Sequence, residues 1–225
     1  MKTKEQNFEK ELPEGYRQVR YINAKQAKFG IIFNLIALAV LAVVMGVAFL
    51  TLQLRSWLPS VVFDLDLSEL LVAYLIFFGG MIGYIILHEL VHGIVYKGET
   101  GEKLTFGMSW SCAFCGVPHI YTYRRTALRA VAMPLIVFTA LLVPILILLY
   151  FVSPLYYLIV AFLFGLHLGG CSGDVYVMGL LLFRYKNPKV LMRDTGPEQY
   201  FYVPEDVERI EREKAPANEK TEELK

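Results

Sequence analysis

Residues 30–52, GIIFNLIALAVLAVVMGVAFLTL, run for 23 positions without a formal charge. A helix rises about 1.5 Å per residue, so about 20 such residues cross the hydrocarbon of a bilayer. Lipid offers no partners to backbone amides, which leaves a spanning helix as the structure this run can adopt. Three more apolar runs follow at 70–96, 126–152 and 154–183, the last two joined at Ser153–Pro154. Pro134 falls inside the third, where it kinks the helix or marks its true start. Composition agrees, with 56% apolar residues and a mean hydropathy of +0.46.

Lys and Arg set the orientation. They concentrate in residues 1–29, in the 97–125 loop and after Arg184, whereas the other two loops hold only Arg55. The positive-inside rule then puts both termini in the cytoplasm, in the cell's inner membrane. A cleaved signal peptide has a much shorter charged start, so residues 1–29 read as a retained cytoplasmic tail. The 97–125 loop alternates through Leu104, Phe106, Met108 and Trp110, which predicts a β-hairpin over 104–121 against the membrane domain. Residues 186–204 have the pattern of a second small hairpin, followed by a charged end that completes a 184–225 C-terminal segment. The predicted fold is an all-α polytopic membrane protein: four transmembrane helices over 30–183, with a small β-hairpin between spans two and three.

Net charge is +1, which gives no basic field for nucleic acid. Three cysteines, Cys112, Cys115 and Cys171, do not make a disulfide framework. Cys112-x-x-Cys115 reads as two small apolar residues of the hairpin, because an all-thiol zinc site needs four ligands. Trp110, Tyr121 and Tyr123 read as interfacial anchors.

The chemistry lies in GYIILHELVHGIVYKG, residues 83–98. His88 and His92 are four apart, so both imidazoles can point at one metal ion from one helix face. Glu89, one residue along, can reach a metal-bound water and take its proton for attack on an amide carbonyl. Ionisable groups at membrane depth are rare unless functional. A third protein ligand is needed, and the candidates are His167 and Asp174 in FGLHLGGCSGDVYVMG, with His119 in the loop. Depth favours Asp174, about 15 Å inside the Arg184 boundary, a height similar to that of His88. His167, seven residues away on the same face, sits about 10 Å deeper, as a core histidine or a proton or substrate contact. His119 could hydrogen-bond substrate from the loop. Gly79 and Gly83, and the ridge Gly165, Gly169 and Gly173, predict close helix approaches, the ridge facing away from the site.

HELVHG at the end of one span, GGCSGD in a later one and Pro134 in RAVAMPLIV resemble site-2-protease-type intramembrane zinc metalloproteases. Closer still is the resemblance to a family of small bacterial membrane proteins described as zincin-type peptidases. That family similarly opens with a segment like LPEGYRQV and carries a hairpin like LTFGMSWSCAFCGVP. The resemblance implies zinc (Zn2+) held by His88, His92 and Asp174, with Glu89 as the catalytic residue. The N-P-x-D-G or L-D-G context of the well-studied site-2 proteases and their PDZ module are missing, which bears on substrate and regulation more than on the metal. The function implied is hydrolysis of a membrane-embedded or membrane-associated polypeptide. The alternatives are an inactive metal-binding adaptor and, third, a small ion transporter or channel. A general base at Glu89 speaks against the adaptor, and four spans without an internal repeat speak against the transporter.

Overall fold

The computed structural model describes residues 7–56, 66–109 and 112–206. Asp64 of the acidic loop, Trp110 and residues 207–225 lie outside the described residues. Among the described residues, four helical stretches are long and apolar enough to cross a membrane. They comprise α1 (Ala27–Leu54), α2 (Leu67–Thr100), α3 (Arg124–Val152) and the Pro154–Arg184 stretch. The sequence predicts one helix over 154–183, but the chain divides it into α4 (Pro154–Gly170), α5 (Ser172–Gly179) and a π-helical turn, Leu180–Arg184. At Cys171 the backbone leaves the helical region, with ψ 2°. Gly169 and Gly170 immediately before it hold a helix weakly, which makes this the place to break.

Local signals mark the ends of α2. The Asp66 carboxylate accepts the Glu69 N–H at 2.8 Å and Glu69 reaches back to the Asp66 N–H, forming a capping box. Gly101, at φ 73°, ends the helix in the left-handed region that a residue with a Cβ avoids. Pro154 starts α4 where its missing N–H costs nothing.

α4 is the central helix, packed against α1, α2 and α3. The α1 contact is close because Gly165 and Gly169 have no side chains. A Cβ at Gly169 would sit 2.8 Å from the Ala37 Cα, and one at Gly165 would sit 2.8 Å from Leu41 Cδ1. The predicted ridge thus packs on a neighbouring helix through two of its members, but it does not face away from the site: Gly169 and Gly173 line the cavity shared by His88, Glu89, His92 and Asp174. Gly79 and Gly83 do not mark a close approach, since nothing lies within 4 Å of a Cβ at either, whereas Gly80 meets Leu163. α2 packs on α3 and α4, so α1 and α2 flank the central helix without packing extensively on each other.

Two small antiparallel sheets sit at one end. The smaller pairs β3 (Thr105–Met108) with β4 (Ala113–Gly116). The larger has five strands, with β1 (Phe8–Glu9), β2 (Tyr16–Asn23), β5 (Tyr121–Tyr123), β6 (Leu191–Asp194) and β7 (Glu198–Pro204) in the order β1-β5-β6-β7-β2. The N-terminal segment is therefore no separate tail: β2 pairs with β7 from Tyr16↔Pro204 to Asn23↔Glu198. The fold is mostly helical with two small sheets, not all-α with one hairpin. Ile22, Met192, Phe201 and Val203 from the sheet pack with Val131, Val177 and Leu181 of the helices in one core. The sheets are tied together where the Val117 N–H donates to Asp194 O at 2.8 Å. Gly116 and Gly196 allow that contact, because a Cβ on Gly116 would fall 2.3 Å from the Gly196 nitrogen.

Candidate metal centre

Tyr84, His88, His92 and Tyr96 recur at four-residue intervals, so they line one face of α2 and all four are buried. The Asp174 carboxylate in the first turn of α5 meets the middle of this face. Asp174 Oδ2 lies 3.2 Å from His88 Nε2 and 3.5 Å from His92 Nε2. Three donors around a tetrahedral zinc, with bonds of about 2.0–2.1 Å, are separated from one another by about 3.3–3.4 Å. The two measured separations bracket that value, so Asp174 stands at zinc-ligand spacing from each histidine.

The other ring nitrogens are also engaged. His92 Nδ1 donates to the Ala130 carbonyl at 2.9 Å. His88 Nδ1 lies 3.0 Å from the Tyr84 hydroxyl, which also contacts His167 Nδ1 at 3.1 Å. His167 Nε2 completes the chain at Thr139 Oγ1, 3.1 Å away. Supporting bonds of this kind fix the ring orientation and tautomer of metal-binding histidines. Farther along α2, the Tyr96 hydroxyl donates to Asp194 Oδ2 at 2.8 Å, tying the large sheet to the helix.

Among the described residues, ligand atoms of His88, Glu89 and His92 lie within 4.8 Å of one another, as do those of His88, His167 and Cys171. The Tyr84 hydroxyl bridges the two histidines of the second group, so that group is a hydrogen-bonded network. His167 is fully buried behind it. His119 is exposed after β4 and does not line the cavity described below.

Glu89 points to a cavity of about 370 Å³ that also exposes His88, His92 and Asp174. Its walls are Phe33 and Asn34 of α1, Ala113 and Phe114 of β4, and Gly196 of the β6–β7 turn. Cys115 of β4 lines the same cavity as Glu89. Gly93, directly after the second histidine, lets the small sheet lie on the helix, since a Cβ there would come 2.8 Å from the Phe106 ring. Burial pushes the Cys115 thiol up to about 12, which keeps it protonated. The Cys112 sulfur contacts Ser109 Oγ at 3.3 Å. Cys115 is therefore not presented as a thiolate ligand.

Sequence reasoning missed Tyr84, Thr139 and the Ala130 carbonyl. The available signal was the continuation of the four-residue spacing from His92 and His88 back to Tyr84. No curated protein matches the chain, and no solved structure does. A family model described as "Putative zincin peptidase" matches residues 81–189. That stretch includes both α2 histidines, Glu89, Asp174 and the small sheet. The segment that carries both histidines, Glu89 and Asp174 is thus similar to the family described as putative zincin peptidases.

Proposed function

We propose that the chain is a zinc-dependent intramembrane peptidase that hydrolyses a peptide bond of a membrane-embedded or membrane-associated polypeptide. The observation that carries this reading is the convergence of His88 Nε2 and His92 Nε2 on Asp174 Oδ2 beside Glu89. His88, His92 and Asp174 would hold the zinc, which when bound would supply Lewis acidity at this site. Glu89 accepts the proton of the attacking water and delivers it to the leaving amine. The cavity admits water and chain to that depth, and the separation of α1 from α2 gives a lateral way in from lipid. β4 lines the cavity, where its backbone can align an extended substrate segment. Lys and Arg gather at the sheet-bearing end, which supports a site in the cytoplasmic half of the inner membrane with both termini inside.

The purified chain should carry about one zinc, lost on Asp174→Ala. Glu89→Gln should keep the zinc and lose activity. N-terminal profiling of membranes from cells expressing either form should find new N-termini only with the unsubstituted chain. Identical profiles would leave the adaptor reading in place.

A further inference from the structure

Pro134 sits in the interior of α3, where a proline is expensive. It has no backbone N–H, and its ring pushes against the carbonyl four residues earlier. That carbonyl belongs to Ala130, which is fully buried, and a buried carbonyl without a donor is costly. His92 supplies the donor, with Nδ1 at 2.9 Å from Ala130 O. A carbonyl can only accept, so Nδ1 carries a proton and Nε2 is the nitrogen left to face the metal. Nε2 is the atom that meets Asp174 Oδ2. His88 has no such constraint, because the hydroxyl of Tyr84 can donate or accept.

We infer that Pro134 is a positioning residue of the metal centre. By removing the N–H that would engage the Ala130 carbonyl, it gives His92 a fixed acceptor that sets the ring's tautomer and aims Nε2 at the metal. This rests on the peptidase reading above through its zinc ligands. α3 contains a second proline, Pro144, which is exposed and lies about 15 Å farther along the helix, where no ligand is found.

The test uses the full chain in detergent, stripped of metal. Zinc is titrated against a chromogenic chelator, and the histidine ring nitrogens are observed by 15N NMR. Pro134→Ala restores a donor for Ala130 O, so the zinc dissociation constant should rise about 10–100-fold, without a lower melting temperature for the zinc-free protein. Pro144→Ala should bind zinc as the unsubstituted chain does. The His92 ring should be protonated at Nδ1 in the unsubstituted chain and shift towards Nε2 in Pro134→Ala. An Nδ1 without a proton in the unsubstituted chain overturns the inference, and needs no variant to be stable. So does undiminished affinity in Pro134→Ala, or an equal loss in Pro144→Ala. An unsubstituted chain that binds no zinc overturns the peptidase reading itself, and the inference falls with it.

Discussion

At the scale of single residues, each α2 histidine offers Nε2 to Asp174 and spends Nδ1 on a supporting partner. Tyr84 deserves a test because its one hydroxyl serves both His88 and His167. Tyr84→Phe would leave two buried ring nitrogens without that partner. Leaving buried polar groups unsatisfied costs about 1–3 kcal/mol, and loss of a supporting bond weakens metal binding about 10–100-fold. The expected outcome is a lower melting temperature together with weaker zinc binding, measured by thermal denaturation and chelator competition. Unchanged zinc binding would mean that Tyr84 only packs. The first half of the centre was legible because two histidines four apart on an apolar helix have few other uses. Asp174 could be matched to them by depth along the chain. Tyr84 was not legible, since nothing in a sequence separates a supporting tyrosine from the many aromatic residues of membrane spans. His167 had its place on the helix but not its neighbours, because whether it faces a cavity or a hydroxyl depends on how α2 and α4 meet.

At the scale of elements, apolar length was enough to find the four described helical stretches that are long and apolar enough to cross a membrane, because lipid permits so few alternatives to a helix. The break at Cys171 escaped that logic: glycines can equally serve a close helix contact, and Gly169 does both here. Gly79 and Gly83 had the same spacing and found no neighbour, since spacing says that a helix can be approached and not that one comes. The α1–α4 contact gives a sharp prediction. Any side chain on Gly169 runs into the Ala37 backbone, with a Cβ at 2.7 Å from its carbonyl oxygen. Backbone cannot rotate away, so Gly169→Val should cost about 1–3 kcal/mol or more. Because α1 also walls the cavity, thermal melts should show the loss even in zinc-loaded protein. A neutral result would mean that α1 moves freely on α4.

At the scale of the whole molecule, the large sheet was the least legible part. Its strands come from the N-terminal segment, the α2–α3 connection and the chain beyond α5, so no local pattern announces the pairing. β2 and β7 are about 180 residues apart in sequence. The sheet docks on α2 through Asp194, which is 3% exposed and accepts from both Tyr96 and the Gly196 N–H. Burial pushes the Asp194 carboxyl up from 3.8 to about 6, against the lowering effect of those hydrogen bonds. Folded protein therefore holds this proton more tightly than unfolded protein does. The contribution to stability is full below about pH 4, is lost as pH rises through about 6, and amounts to about 3 kcal/mol at about 1.4 kcal/mol per pH unit. Asp194→Asn removes the titration while its amide can still accept from Gly196 and donate to Tyr96. Melting temperatures taken from pH 4 to 7.5 should fall more steeply for the unsubstituted chain than for Asp194→Asn, with the curves drawing apart around pH 5–6. Parallel curves would mean that Asp194 ionises as readily in the folded protein as in the unfolded one, and that the sheet docks on α2 without any cost from a buried charge.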